Sequence, residues 1–281
     1  VSDKQRIAAT FAAAASHYDT HAVVQRHAAQ QLALRAKAQW PTLQSPSQPP
    51  SHPPTSAPQV VEIGCGTGNL TEALWRAYPQ ADLLATDLAP AMVEACRLRL
   101  TSLQGDAVPD LGGAAEGEGR VSFAVVDGEH LDCRAADLVA SSLVFQWFAD
   151  PSAALARLAA QVPRLAVATL LDGTFAEWKA AHTSVGVNDG VRTFMTEGAL
   201  RALCAQMGTC SKVTIVVETV HEHYPDVLQF VRSLKAIGAG TARPGHRPAP
   251  LRRVLRAFPQ GIHASYRVAY VLAENTSLLG R

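Results

Sequence analysis

The sequence predicts an α/β fold: a doubly wound, mostly parallel seven-stranded sheet with an N-terminal helical lid and a late helical insertion. Three observations carry this expectation. Between residues 59 and 172, short apolar strand-like runs alternate with helical stretches, the pattern of parallel strands joined by right-handed crossovers. The first run, VVEIG (60–64), leads straight into Gly64-x-Gly66-x-Gly68, placed where such sheets bind ligands, at the carboxyl ends of their strands. Late in the chain, two further strand-like runs flank a helical stretch and can complete the same sheet.

Taken in order, residues 4–40 repeat apolar side chains at three- and four-residue intervals (Ile7, Phe11, Ala14, Tyr18, then Val24, Ala28, Leu32), which predicts helix. The alanine-rich start lacks a hydrophobic signal core and is read as part of that helix. Seven prolines within 41–58 rule out a helix there and mark an extended linker. The expected domain division is therefore a lid over 1–40, the linker over 41–58 and the main domain over 59–281. Strands are expected over 60–64, 82–88, 121–127, 136–145 and 165–171, with helices over 70–77, 90–100 and 151–161. The Gly- and acid-rich segment 102–120 reads as a surface insertion. Later helices are expected over 174–184, 196–206 and 227–239, and strands over 212–224 and 265–274, with the insertion at about 225–260.

Composition narrows the class. The 281 residues are 48% hydrophobic with a formal charge of +1, enough for a large core and too balanced for a dominant nucleic-acid footprint. Cys65, Cys96, Cys133, Cys204 and Cys210 form no C-x-x-C pair and no zinc spacing, so reduced thiols in a cytoplasmic protein are expected. No apolar run reaches the ~18 residues of a membrane span. Neither nucleic acid, membrane nor metal is an expected partner, and the chain is read as a monomer.

The glycine loop separates two ligand classes. A dinucleotide fingerprint needs glycine where this chain has Asn69, because helix and strand pack closely there. Glu62, two residues ahead of the loop, would oppose the compensation that loop amides and a helix N-terminus give a pyrophosphate. It suits an ammonium or a sulfonium, and S-adenosylmethionine carries both. Asp87 ends the second strand, nineteen residues after Gly68; it either accepts hydrogen bonds from ribose hydroxyls or caps the helix begun by Pro90. Asp127-Gly128 ends the third strand, at the depth of an adenine amino group or as a plain turn. The fourth ends in SSLVFQW (141–147), whose backbone can pass beneath a transferable methyl. Gly64, Cys65, Gly66, Gly68, Leu88, Met92, Ser142 and Leu143 complete the expected cofactor contacts.

Together these strand ends resemble the class I S-adenosylmethionine-dependent methyltransferases. More narrowly, FAAAASHYDTHAVVQR, SLVFQW, DGTFAEWKAAH, VRSLKAIGA and SYRVAYVLAE resemble the malonyl-acyl-carrier-protein O-methyltransferases of biotin synthesis, over most of the chain except 41–58 and 102–120. Two departures stand out: AQVPRLAVAT lacks the paired glycines common before the fifth strand, and Ser142 stands where Asn is frequent. The resemblance implies methyl transfer from S-adenosylmethionine to the free carboxylate of a malonyl thioester. The products would be S-adenosylhomocysteine and the methyl ester that starts pimeloyl formation. Whether the carrier is an acyl-carrier protein or coenzyme A stays open. Tyr18 would donate a hydrogen bond near the methyl, or simply pack the lid; Gln146 and Trp147 would line the pocket, or Trp147 would belong to the core.

From Val227 to Ala273 there is no Asp or Glu, while Arg232, Lys235, Arg243, Arg247, Arg252, Arg253, Arg256 and Arg267 fall in that stretch. Such a run is either a solvated face or a rim that steers an acidic carrier protein. Arg232 or Lys235 would then clamp the malonyl carboxylate. Alternatives are a methyltransferase acting on another small acid or a ring carbon, a non-catalytic cofactor-binding module, and an NAD oxidoreductase. Asn69 and Glu62 disfavour the last, and the presence of Glu62, Asp87 and Asp127 together disfavours the module. Asp87→Ala is expected to weaken S-adenosylmethionine binding by ~10-fold or more, the worth of a charged hydrogen bond, with the fold intact. Calorimetry showing unchanged affinity would mean the ribose site lies elsewhere.

Overall fold

The computed structural model describes residues 3–43, 57–104, 119–238 and 251–279. The N-terminal segment forms α1 (Asp3–Ala14), α2 (Tyr18–His21) and α3 (Val23–Gln39), where the periodicity predicts one helix. The chain turns after Ala14 and again at Ala22 (φ −93°, ψ 44°). The reason lies in side-chain chemistry: the break lowers Tyr18 and Asp19 onto the glycine loop, where Asp19 is hydrogen-bonded by Thr67, Asn69 and Arg99. A continuous helix would carry the aspartate past those donors.

The alternating region follows as β1 (Gln59–Ile63), α4 (Asn69–Ala77), β2 (Asp82–Asp87) and α5 (Pro90–Gln104). Next come β3 (Val121–Val125), β4 (Leu138–Ser142), a 3-10 turn at Phe145–Trp147, α6 (Pro151–Gln161) and β5 (Arg164–Leu170). The last part contains α7 (Ala176–Ser184), α8 (Glu197–Ala205), β6 (Lys212–Tyr224), α9 (Val227–Ala236), α10 (Leu251–Leu255) and β7 (Ile262–Glu274). β3 stops two residues before Asp127, and β4 is shorter at both ends than 136–145, so the residues expected to contact a ligand leave the strands earlier. β5 begins at Arg164 without the paired glycines. Most of the expected linker (44–56) and most of the insertion at 102–120 lie outside the described residues.

The strands form one seven-stranded sheet in the order β3-β2-β1-β4-β5-β7-β6, the architecture expected. β1 to β5 run parallel, and β7 enters antiparallel between β5 and β6. The order reverses at β1, so connections leave β1 and β4 in opposite directions and open a cleft at their carboxyl ends.

Burial follows the strand period. On β7, Val268, Tyr270 and Leu272 join the cluster under α3, α4, α7 and α9, while Ala269, Val271 and Ala273 join the opposite cluster under α6 and α8. The helical repeat of α3 is equally legible: Val24, Ala28, Leu32 and Ala36 are all buried one turn apart. α3 is therefore bound into the main core, leaving α1 and α2 over the cleft.

An aromatic knot joins the late elements to the sheet. Phe230 of α9 is fully buried and meets Phe175, Trp178 and Tyr224 edge-on at 5.4–5.5 Å. Truncating a buried aromatic costs roughly 3–5 kcal/mol. Phe230→Ala should lower unfolding free energy by about that amount in a denaturant titration, with most of the loss in the α7–α9 region.

Candidate active site

The glycine loop is shaped by close approach of other chain segments. Gly64 has φ +75°, and a Cβ there would lie 2.2 Å from Cγ2 of Val144; no side chain fits between β1 and the exit of β4. Gly68, at φ +94°, caps α4, and a Cβ on it would sit 3.0 Å from Sγ of Cys96. Gly66, by contrast, has open space on its Cβ side, which leaves its backbone bare toward the cleft. The Gly64 and Cys65 amides donate to Thr86 O at 2.7 and 2.8 Å, pinning the loop to β2.

Glu62 is fully buried behind this loop, and neither carboxylate oxygen has a hydrogen-bond partner. Burial pushes its carboxyl up to about 8, with the nearby Thr71 hydroxyl opposing the shift and the charge of Asp87 adding to it. A sealed carboxylate of this kind is costly to retain in its charged form; Glu62 stands behind the loop and is not among the side chains that line the cleft. Asp87 is half-buried; its Oδ2 accepts from Gly66 N at 3.0 Å and its Oδ1 from Ala89 N at 2.8 Å. Both sequence-level readings of Asp87 therefore meet: it orders the turn before α5, and each oxygen keeps a lone pair for a hydroxyl.

Of the residues named from the sequence, the cleft is lined by Gly64, Gly66, Asp87, Leu88, Met92, Asp127, Gly128, Ser142 and Leu143 but not by Glu62, and Lys4, Phe11 and Tyr18 of the N-terminal helices line it too. Cys65 and Gly68 support the loop from behind; the Cys65 side chain packs with Ala85, Cys96 and Leu100 and does not face the cleft. Asp127 does not stand free. Its Oδ1 accepts from Glu129 N at 3.1 Å, as a turn requires, and its Oδ2 accepts from Lys4 Nζ at 2.6 Å. Lys4 also lies 2.6 Å from Glu129, so α1 is latched across the expected adenine end. Burial opposes ionisation of both acids, yet the Lys4 contacts hold each below its ordinary pKa.

A second cavity of about 270 Å³ opens beside the first and shares Phe11, Tyr18, Leu143 and Trp147 with it. Leu143 takes φ +56°, a left-handed conformation that costs a non-glycine residue ~1–2 kcal/mol. Two contacts hold it there: Leu143 N donates to Ala168 O at 2.8 Å, and Gln146 Nε2 donates to Leu143 O at 2.6 Å. Gln146 thus holds the β4 exit as well as lining the second cavity. Trp147 is wedged between Phe11, edge-on at 5.2 Å, and the Arg192 guanidinium at 5.0 Å. Burial keeps the Tyr18 phenol far above its ordinary pKa, with Asp87 and Asp19 pushing the same way, so it is a donor at neutral pH.

The basic residues divide. Lys235 lies at the rim of the second cavity. Arg232 is exposed and lines neither cavity, so it does not fit the carboxylate clamp expected of it. Arg252, Arg253 and Arg256 are exposed and make no ion pair among the described residues, whereas Arg267 pairs with Glu197. Arg243 and Arg247 lie outside the described residues. Sequence reasoning missed Lys4, Asp19 and Arg192. Asp19, next to Tyr18, was the most accessible of the three, since an acid on a lid facing a Thr-x-Asn loop is a plausible staple.

Among the described residues no helix is long and apolar enough to cross a membrane, and no group of three His, Cys, Asp or Glu side chains could hold a metal ion.

Residues 61–162 match a family model described as a methyltransferase domain. The chain is 37% identical over 274 residues to a biotin biosynthesis bifunctional protein BioCD of Bordetella avium, aligning 94% of this chain but 51% of that one. It thus spans about half the length of that relative. It is 31% identical over 266 residues to a malonyl-acyl-carrier-protein O-methyltransferase of Magnetococcus marinus, covering 91% of this chain and 87% of the other. Among solved structures, a magnesium protoporphyrin IX methyltransferase from Synechocystis PCC 6803 with bound S-adenosylhomocysteine superposes with a TM-score of 0.51 at 13% identity. That match covers 89% of this chain and 82% of the other, a likeness of fold alone.

The ionisation of Glu62 gives a pH test with a definite sign. A carboxyl raised from 4.5 to about 8 binds a proton in the folded state that the unfolded chain has already lost, so cofactor-free stability falls as pH rises from about 4.5 to about 8. A cationic ligand group favours the ionised form, so S-adenosylmethionine affinity should rise over the upper part of that window. Glu62→Gln should flatten both profiles, measured by thermal unfolding and calorimetry; unchanged profiles would place the titrating group elsewhere.

Proposed function

The chain belongs to the malonyl-acyl-carrier-protein O-methyltransferase family, and from that premise we propose that it methylates the free carboxylate of a malonyl thioester carried on an acyl-carrier protein. The observation that carries the reading is the junction of the two cavities: an acid-walled cleft meets a mostly apolar cavity at Phe11, Tyr18, Leu143 and Trp147. A cofactor on one side and an acceptor on the other would face each other across these four residues.

S-adenosylmethionine, when bound, supplies a methyl carbon activated on a sulfonium, to which the acceptor oxygen bonds as the methyl–sulfur bond breaks. The residues present fit that group. Glu62 stands behind the loop as a buried acid, Asp87 faces the ribose position, and Gly66 leaves room for close backbone approach. Asp127 would take the adenine amino group only while sharing its carboxylate with Lys4.

The acceptor needs no general base, since a malonyl carboxylate is ionised at neutral pH. What the protein must supply is alignment and exclusion of water; well-oriented reactants can gain on the order of 7–11 kcal/mol at best. Phe11, Trp147, Phe175, Trp178 and Tyr266 wall the second cavity with rings, and the lid helices close it from above. Tyr18, shared by both cavities and held as a phenol, orients the acceptor at the junction. Arg252, Arg253 and Arg256 are exposed, as is Lys235 at the cavity, and exposed cations of this kind would suit an acidic carrier protein.

Labelled S-adenosylmethionine incubated with the protein and malonyl-acyl-carrier protein should yield base-labile labelled ester on the carrier. Malonyl-coenzyme A should be a weaker acceptor and free malonate the weakest, with salt depressing only the carrier-protein reaction. No label on any of the three, with S-adenosylhomocysteine bound normally, would point to a different acceptor.

A further inference from the structure

Three charged side chains line the second cavity: Asp189, Arg192 and Lys235. Asp189 is occupied locally, its carboxylate accepting from Val191 N at 2.7 Å and its carbonyl from Trp178 Nε1 at 3.2 Å. Lys235 is exposed and is shared with an outer groove lined by Arg6 and His17. Arg192 also lines a neighbouring cavity together with Gln146 and Phe194, but its immediate surroundings set it apart. It is half-buried, stacks on Trp147 at 5.0 Å, and has its Nη1 shut off from solvent with no hydrogen-bond partner. It belongs to no ion pair among the described residues. Asp3, whose charge reaches it, is paired instead with Arg6 at 2.6 Å.

A shielded guanidinium N–H without an acceptor is a cost to the fold. The walls around Arg192 are mostly apolar; Gln146, which lines the same cavity, leaves its own buried Oε1 without a partner and does not meet this donor, and the Trp147 ring under the guanidinium also lines the cofactor cleft. The unmet donor is therefore held one aromatic ring away from the cofactor cleft.

We propose that Arg192 is the anchor for the acceptor carboxylate, gripping one of its oxygens through the part of the guanidinium that lines the cavity and leaving the other turned toward the junction at Tyr18 and Leu143. The assignment rests on the methyl-transfer reading and replaces Arg232 as the clamp, with Lys235 acting farther out on the carrier or its arm. It makes charge the basis of selection: a neutral acyl group leaves the buried guanidinium unpaired, and a site with an unmet polar group discriminates strongly. It also favours product release, because the ester formed carries no charge for Arg192 to hold. A fixed cation stabilises the anionic ground state at least as well as a transition state in which the oxygen is losing its charge. Arg192 should therefore act on substrate binding rather than on the chemical step.

The test compares wild type, Arg192→Gln and Arg192→Lys with malonyl-acyl-carrier protein as acceptor. For Arg192→Gln the expected result is a ~10–100-fold rise in KM, the range for loss of a charged hydrogen bond. Its kcat should change by less than ~3-fold on the ground-state argument, and S-adenosylhomocysteine affinity should be unaltered. Arg192→Lys should recover part of the KM. A wild-type KM in Arg192→Gln, with the wild type active, would overturn the assignment alone; an inactive wild type would overturn the methyl-transfer reading with it. Should the variants lose cofactor affinity and fold together, the wild type serves instead. Malonyl-acyl-carrier protein should shield Arg192 from phenylglyoxal, read by peptide mass, and absence of shielding would overturn the assignment.

Discussion

The packing of the Val144 side chain on Gly64 is the constraint on which the site depends. Because β1 and the β4 exit meet with no room for a Cβ, the loop is forced inward, and three consequences follow. Glu62 is sealed behind it. The Gly66 amide is turned to Asp87 at 3.0 Å, linking the loop to the end of β2. Thr67 and Asn69 are presented outward, where Asp19 takes a hydrogen bond from each. The residue that breaks the dinucleotide fingerprint thus has a positive task, since the Asn69 amide helps tie the lid to the loop.

The site is electrostatically two-sided. The cofactor side carries Glu62 and Asp87, both pushed up by burial. The acceptor side carries Arg192, with a buried donor unmet. Each half lacks the charge that the other reactant would bring: a sulfonium and ammonium for the acids, a carboxylate for the guanidinium. Reactants of opposite charge meeting in a ring-lined cavity attract more strongly than in water, and both charges vanish on transfer. The charges lost are those of the sulfonium and the acceptor carboxylate, so the grip on the ester falls, while the ammonium and ribose of the cofactor product keep their partners.

Much of the fold was legible because it rests on local periodicity. The five parallel strands declared themselves by alternation, and the 3.6-residue repeat of α3 survives as a stripe of buried side chains. The placement of β7 between β5 and β6 could be anticipated only as two late strands completing a sheet; their antiparallel order is set by pairing across the chain. The place of the cleft was legible for the same reason: Asp87 and Asp127 sit at successive strand ends and line it together, with Glu62 behind the loop. The acceptor end was not. Arg192 lies in an irregular loop between α7 and α8 with no repeat to mark it, and what singles it out is its stacking on Trp147 and its lack of an acceptor. The basic run drew attention to Arg232 and Lys235 because density of charge is visible in sequence, whereas the absence of an ion-pair partner for one cavity-lining charge is not. Lys4 likewise acquires meaning only when α1 folds back over Asp127.

The central claim is that one reactant occupies each cavity and that they meet at Tyr18, Leu143 and Trp147. A crystal structure with S-adenosylhomocysteine and a non-hydrolysable malonyl-carrier mimic tests it most directly. The account predicts the thioether sulfur at that junction, the ligand ammonium toward Glu62, and the malonyl carboxylate in the ring-lined cavity within a few ångströms of the sulfur. A carboxylate bound outside that cavity, or a sulfur facing away from the junction, would contradict it.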